Sequence, residues 1–185
     1  MRRRCALSGP LATWIATLGT LAACTSATGG TGATSKPAGL PATTLVDPQA
    51  SVKQAVLTAY RGMWQEFVSA ARTADWNASE LGEYATGDAL IVLRHGLWLA
   101  HEKEQIVKGE PILRPEVTSL TPVTEPAKAQ VADCVDDTGF LVHTRSGKRA
   151  DGGAATGRHR TTADLALRKG SWYVTTFVLR EAGTC

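Results

Sequence analysis

Residues 170–180 read GSWYVTTFVLR, and this stretch decides the fold class. It is rich in valine, threonine and aromatic residues and begins at a glycine turn signal, which is typical of a β-strand. Successive side chains of a strand point to opposite faces. Both faces are largely apolar here, with Tyr173, Thr175, Phe177 and Leu179 on one and Trp172, Val174, Thr176 and Val178 on the other. This pattern predicts a strand in the centre of a sheet.

Working outward from that strand, helices come first in the chain and strands come after them. The hydrophobic period and capping residues predict three helices. They cover residues 52–72, 77–84 and 86–107. At 100° per residue, the first helix has an apolar inner half and a polar half that includes Arg61, Gln65, Ser69 and Arg72. Runs rich in Val, Thr and Leu, bounded by Gly and Pro, predict the other strands. These cover residues 117–123, 127–137, 139–145 and 159–169. Helices followed by strands indicate an α+β domain with an antiparallel sheet.

The first 23 residues have the pattern of a secretory signal peptide. Arginines at positions 2–4 precede an uncharged run at 5–23 that is rich in Ala, Leu, Thr and Gly. The run leads into LAAC at 21–24, which resembles the lipobox of bacterial lipoproteins, where the cysteine is lipidated and becomes the mature N-terminus. The resemblance implies a lipid on Cys24 and a location at the extracytoplasmic face of the cell membrane. The arginines fit general export or twin-arginine export.

Residues 24–46 differ sharply in composition from residues 47–185. They consist largely of Gly, Thr, Ser, Ala and Pro, a composition that cannot bury a core and is typical of a linker. Residues 47–185 are therefore expected to form one globular domain. Without the three N-terminal arginines, 17 basic residues balance 17 acidic ones. A neutral chain lacks the basic footprint of a nucleic-acid-binding protein.

Two cysteines remain once the signal peptide and the lipidated residue are set aside, Cys134 and Cys185. An even pair in an exported protein favours a disulfide between them. A catalytic thiol or a zinc site is a weaker interpretation, because both need partners at spacings that this sequence does not offer.

The domain resembles the nuclear-transport-factor-like fold, a cone in which helices pack on a curved antiparallel sheet of four to five strands. GSWYV at 170–174 carries this resemblance. Residues 47–185 are also similar to small secreted or lipid-anchored proteins of high-GC actinobacteria. The motifs concerned are YRGMWQEF at 60–67, ATGDAL at 85–90, GEP at 109–111 and DCVD at 133–136. The resemblance implies a fold and a location, and no settled activity.

Some proteins of that fold run isomerase or dehydratase chemistry with acids, His or Tyr inside the cone. Asp133 and Asp164 are candidates here, because each alternates in its strand with small or apolar neighbours. A buried carboxylate has a raised pKa and can act as a base. A solvated carboxylate at a strand edge is the competing interpretation.

Three aromatic residues are candidates for lining a pocket: Tyr60, Trp64 and Trp98. An aromatic stripe at helical spacing also fits a core. His95 and His101 lie on different sides of their helix and cannot share a metal ion. Since the sequence also lacks a phosphate loop and a nucleophile elbow, no metal or cofactor is expected.

A basic segment joins the strands predicted at 139–145 and 159–169. Its cations are Arg145, Lys148, Arg149, Arg158 and Arg160, against a single acid, Asp151. As a glycine-rich hairpin tip, this segment is a candidate contact surface for an anionic membrane or wall polymer. A solvated hairpin whose charges serve solubility is the competing interpretation.

The sequence supports three hypotheses on function. The first is a lipid-anchored, non-catalytic binding or accessory module at the outer face of the cytoplasmic membrane, favoured because the sequence shows no convincing acid–base constellation. The second is a small-molecule isomerase- or dehydratase-type enzyme that uses the cone, which a plug formed by Trp64 and Phe67 would exclude. The third is a structural envelope protein that contacts wall polymer or a membrane protein. The oligomeric state stays open.

Overall fold

The computed structural model describes residues 47–150 and 155–185. Its helices are α1 (Ala50–Ala71), α2 (Leu81–Tyr84) and α3 (Gly87–Glu102). Its strands are β1 (Gln105–Lys108), β2 (Glu116–Thr121), β3 (Lys128–Asp136), β4 (Leu141–Thr144), β5 (Arg158–Arg168) and β6 (Ser171–Ala182). The predicted signal peptide, Cys24 and the predicted linker lie outside the described residues.

The strands form two antiparallel sheets. Four strands pair in the order β2-β3-β5-β6, and β1 pairs with β4 in a smaller sheet. The N-terminal helices pack against the larger sheet, where α1 and α3 both contact β6. The predicted fold class, α+β with N-terminal helices on an antiparallel sheet, is therefore confirmed.

The third helix is shorter than expected, because a strand replaces its last turn. α3 ends at Glu102, and Glu104 has a left-handed φ of 52°, which a right-handed helix cannot continue through. The chain then enters β1, which pairs with β4 and places Ile106 opposite His143. The predicted continuation to Val107 is wrong, because the hydrophobic period reports local preference and not pairing with a distant strand.

β6 lies at the edge of the larger sheet and not in its centre. Its two apolar faces arise from a register shift against β5 that leaves Thr175 as an extra residue. Such a β-bulge changes the phase of the side-chain alternation. Trp172, Val174 and Phe177 therefore face the helices together, whereas strict alternation would place Phe177 on the other side.

The core lies between α1 and the inner face of the larger sheet, as the apolar half of α1 predicts. Fully buried residues on α1 include Val56, Tyr60 and Met63. They pack with buried side chains of three strands. These are Ala129, Val131 and Val135 of β3, Ala163 and Leu165 of β5, and Trp172 and Val174 of β6. The described residues belong to one compact unit.

A disulfide joins Cys134 to Cys185 across a sequence separation of 51, with 6.0 Å between the two Cα atoms. This pairing was predicted and is present. Cys134 lies in β3 opposite Arg160 of β5, and the backbone N–H of Arg160 donates to the Thr184 hydroxyl at 2.8 Å. Gly183 N–H also donates to the Arg158 carbonyl at 2.9 Å. The C-terminus is therefore held on β3 by a covalent bond and on β5 by hydrogen bonds.

Candidate functional site

A buried carboxylate lies inside the domain, on β3. Asp133 has an exposed fraction of 6%. It accepts hydrogen bonds from the Tyr60 hydroxyl (3.1 Å) and from the backbone N–H of Arg114 (2.7 Å). Trp64 follows Tyr60 by one helical turn, and its buried Nε1 has no hydrogen-bond partner among the described residues. We call Tyr60, Trp64 and Asp133 the interior cluster.

Burial controls the electrostatics of this cluster. Loss of hydration raises the pKa of Asp133 above its ordinary value, although the hydrogen bonds from the Arg114 N–H and the Tyr60 hydroxyl oppose the shift. Burial, followed by the charge of Asp133, also raises the pKa of the Tyr60 phenol, while the nearby Trp64 side chain lowers it. Tyr60 therefore stays a hydrogen-bond donor to the carboxylate.

Aromatic rings fill the space beside the interior cluster. Trp64 makes edge-to-face contacts with Phe177 and Phe67, with ring centroids 5.5 and 6.0 Å apart. Phe67 in turn contacts Phe140 at 6.2 Å. Tyr60 is fully buried and Asp133 nearly so, so the acid–phenol pair has little contact with solvent.

A groove of about 440 Å³ lies on the outer side of the same helix, next to the chain that leads into β2. Trp64 and Val68 form its buried floor with Leu113. Its other lining residues are Arg61, Gln65, Ser69, Arg72, Glu110 and Pro111. We call this cavity the α1 groove. Its volume falls in the range of small-molecule sites, and an apolar floor with a few polar groups is typical of them.

Two cations lie on the α1 groove. Arg72 pairs with Glu110 at 2.8 Å, and both side chains remain more than half exposed. Arg61 is exposed at the other end, and its charge contributes to lowering the pKa of Asp133 against the effect of burial. The groove thus combines an apolar floor with positive charge at its rim.

Two of the predicted pocket residues lie elsewhere. Asp164 is exposed on the outer face of β5, where it accepts hydrogen bonds from Gln130 Nε2 (3.1 Å) and the Thr176 hydroxyl (2.7 Å). Even-numbered residues of β5 point outward, so Asp164 lies away from the interior cluster, where it lines a separate surface cavity with Gln130. Trp98 is 40% exposed on α3 and stacks on His95 at 5.9 Å, because the core-facing side of α3 is the one that carries Leu97.

The structure also divides the predicted basic segment. β4 pairs with β1, and β5 pairs with β3 and β6, so β4 and β5 do not form one hairpin. A tighter hairpin turn closes inside the segment, where His143 bridges Arg149. Arg145, Lys148 and Arg149 lie at the turn after β4. Arg158 and Arg160 lie in β5, opposite Asp136 and Cys134 of β3. The role of the basic segment as a contact surface stays a prediction.

Sequence reasoning missed the α1 groove because it classed Arg61, Gln65, Ser69 and Arg72 as the solvated half of α1. These residues recur every three or four positions and so form one line along the helix. That line runs beside Trp64. A line of polar residues next to a large aromatic side chain can indicate the rim of a groove. The opposite wall comes from Glu110 to Leu113, and no local pattern joins it to α1.

Among the described residues, no group of three or more His, Cys, Asp or Glu side chains is placed to hold a metal ion. None of the helices described in the structure is long and apolar enough to cross a membrane.

No protein-family model matches this sequence, and no curated protein matches it. Among the solved structures with a similar chain trace, three are described. The intermembrane-space region of the chloroplast protein ARC6 is 17% identical with a TM-score of 0.42, and the alignment covers 69% of this chain and 97% of that one.

A candidate aromatic ring hydroxylase of Novosphingobium aromaticivorans is 13% identical with a TM-score of 0.47, over 68% of this chain and 88% of that one. A protein of unknown function with a cystatin-like fold from Nostoc punctiforme is 10% identical with a TM-score of 0.41. The alignment covers 69% of this chain and 92% of that one. At these values the three structures carry no argument about the function of this chain.

Proposed function

We propose that the protein is a lipid-anchored, extracytoplasmic binding module without catalysis of its own, and that the α1 groove is its binding site. One observation carries this proposal: the acid–phenol pair that could do chemistry is buried, with Tyr60 at 0% and Asp133 at 6% exposure, while the groove beside it is open. A site for binding therefore has access to ligand, and the candidate site for reaction does not.

The chemistry of the α1 groove suits an anionic molecule with an apolar part. Trp64, Val68 and Leu113 offer apolar surface that is already formed, so a chain of methylene groups lies there without a rearrangement of the core. Arg61 and Arg72 lie at the rim, where a guanidinium can bind a carboxylate or phosphate with two hydrogen bonds. The Arg72–Glu110 pair opens at low cost, because an exposed ion pair contributes little stability.

Anchoring at the membrane is supported by the sequence alone. The LAAC motif at 21–24 ends an uncharged run after basic residues, and the cysteine pair at 134 and 185 suits an oxidising compartment. A groove held at a membrane surface is in a compartment rich in anionic amphiphiles.

The enzyme hypothesis relies on Asp133. Its raised pKa is the property that a general base needs, and it is the one observation that favours isomerase- or dehydratase-type chemistry. Reaction at Asp133 would require a substrate to reach a carboxylate that is only 6% exposed.

The test is calorimetric binding of decanoate, with decanol and acetate as matched probes, to residues 44–185. We expect decanoate to bind more tightly than either probe, since decanol lacks the charge and acetate lacks the chain. The double variant Arg61→Ala, Arg72→Ala should bind decanoate about tenfold more weakly, which corresponds to roughly 1.4 kcal/mol of binding free energy.

Arg180→Ala is the control, because that exposed cation lies on β6 and not on the α1 groove. Equal affinity for the three probes, or an equal loss in the control and the double variant, would show that the groove is not the site.

A further inference from the structure

A carboxylate of the protein itself lies on one of the two cations of the α1 groove. Arg72 Nη2 donates to Glu110 Oε1 at 2.8 Å. The two residues belong to opposite walls of the groove, since Arg72 follows α1 and Glu110 precedes β2. The pair therefore spans the groove, and Glu110 occupies a guanidinium that the proposed function gives to a ligand.

The backbone on both sides of Glu110 is fixed. Gly109 has a left-handed φ of 85°, and a Cβ at this position would overlap the carbonyl oxygen of Gly139, so the turn before Glu110 requires glycine. Two residues after Glu110, Ile112 and Asp136 exchange backbone hydrogen bonds of 2.9 and 3.0 Å. The start of the Glu110 side chain is thus held at the groove wall, and only its outer atoms can leave the ion pair.

The two side chains of the pair are free to separate. That of Arg72 is 59% exposed and that of Glu110 is 69% exposed, and an exposed ion pair contributes little to stability. Once the Glu110 carboxylate swings into solvent, the Arg72 guanidinium can bind another carboxylate with two hydrogen bonds. An anionic ligand must make this exchange, whereas an uncharged ligand leaves the pair as it is.

Glu110 also lowers the positive charge of the α1 groove. The charged residues that line the groove are Arg61, Arg72 and Glu110, so two cations and one anion give a net charge of +1, which removal of the carboxylate would raise to +2. Coulomb attraction and competition for Arg72 therefore act in the same direction. Both make Glu110 unfavourable for the binding of an anion.

A clamp is the other role that an ion pair across a groove can have. A clamp would close over a bound ligand, and the pair would stay intact in the complex. Glu110 would then neutralise Arg72 throughout, and Arg61 would bind the charge of the ligand by itself. Competition makes both cations of the groove available, which agrees better with an anionic ligand.

We propose that Glu110 is a specificity-determining residue of the α1 groove, where it competes with the anionic group of the ligand for Arg72 and so limits the affinity for anions. This inference rests on the proposed function, because it concerns the same ligand and the same site. It adds an orientation: the anionic group lies at the Arg72 end, and the apolar part extends over Val68 and Trp64.

The test is calorimetric titration of residues 44–185 with decanoate and with decanol, in the parent and in Glu110→Gln. We expect the variant to bind decanoate about threefold more tightly, a factor within the range of an exposed ion pair. Its affinity for decanol should equal that of the parent, because decanol has no charge with which to replace the carboxylate.

A second pair of variants tests whether the effect depends on Arg72. Arg72→Ala and the double variant Arg72→Ala, Glu110→Gln should bind decanoate with nearly equal affinity, because competition needs the guanidinium. Glu125→Gln is the matched control, because it removes the same charge from an exposed residue that does not line the groove. Circular dichroism of each variant shows whether it is folded.

Three outcomes would overturn the proposal. Unchanged decanoate affinity in Glu110→Gln would show that the two carboxylates do not compete. Weaker binding of both probes by that variant would assign the ion pair to a clamp. A gain that persists without Arg72, or that Glu125→Gln reproduces, would show that only the net charge matters.

The parent protein distinguishes these failures from failure of the proposed function. If the parent does not bind decanoate, the proposed function is refuted and this inference with it. If the parent binds decanoate and Glu110→Gln has the same affinity, the groove remains the binding site and only the role of Glu110 is refuted.

Discussion

Asp133 is buried among apolar side chains, and hydrogen bonds replace the water that it loses. The Tyr60 hydroxyl and the Arg114 N–H each donate to it. They do not fully compensate for burial, because the pKa of Asp133 stays raised. The charged carboxylate is therefore less stable inside the folded domain than in the unfolded chain.

Replacing Asp133 with Asn should remove a pH dependence of stability. Because the folded pKa lies above the unfolded value of 3.8, the folded state keeps its proton over a range in which the unfolded chain has lost it. This stabilisation is complete below the unfolded pKa and is lost as the pH rises through the folded pKa. Measured by thermal unfolding, the Tm of Asp133→Asn relative to the parent should rise as the pH increases above the unfolded pKa of 3.8.

Tyr60→Phe is the complementary variant, because it keeps the carboxylate and removes a hydrogen bond to its charged form. Without this hydrogen bond the folded pKa of Asp133 rises further. The loss of stability that follows its deprotonation should therefore occur at higher pH. If the Tm difference between Asp133→Asn and the parent did not change with pH, Asp133 would not be the titrating group.

Two glycines in helix interiors have opposite surroundings. Gly62 lies on the buried side of α1, and a Cβ there would meet Cδ2, Cε2 and Cγ of the Tyr84 ring at 2.7–2.8 Å. Its missing side chain is what lets the end of α2 pack on α1. A Cβ at Gly96 of α3 would meet no atom within 4 Å.

The variants Gly62→Ala and Gly96→Ala should therefore change stability in opposite directions. Gly96→Ala is expected to stabilise the domain by about 0.5–1 kcal/mol, the usual gain from helix propensity. Gly62→Ala makes the same gain but overpacks the Tyr84 contact, so we expect a net loss of about 1–2 kcal/mol. Urea denaturation of both variants measures the two values.

Gly62→Ala with Tyr84→Leu is the check on the mechanism, because a smaller side chain relieves the overlap and should restore part of the loss. Destabilisation of equal size at both glycines would mean that the contact with Tyr84 is not its cause.

At the scale of the whole molecule, the α1 groove is lined by α1 and the chain before β2. The disulfide fixes the C-terminus to β3.

Cys24→Ala tests the anchor on which the location depends. Without the thiol no lipid can be attached, so the variant should leave the membrane fraction for the medium or accumulate unprocessed. Cell fractionation with immunoblotting measures this, and Cys5→Ala is the control because that cysteine lies in the predicted signal peptide. Identical fractionation and migration of Cys24→Ala and the parent would contradict lipid attachment.

The sequence by itself predicted the fold class, the apolar inner face of α1 and the cysteine pair at 134 and 185. These depend on local periodicity and on the number of thiols, both of which a sequence displays directly. It also identified Asp133 and Tyr60 as residues of interest, because alternation in β3 and helical spacing in α1 place each of them on an inward face.

Only the tertiary structure decided which candidates meet. Tyr60 and Asp133 are 73 residues apart and share a hydrogen bond, while Asp164 and Trp98 have similar local patterns and face outward. The bulge at Thr175 reverses the alternation of β6, and the pairing of β1 with β4 ends α3 early. In each case the outcome depends on contacts between segments far apart in the chain, whose free energy is absent from any local window of residues.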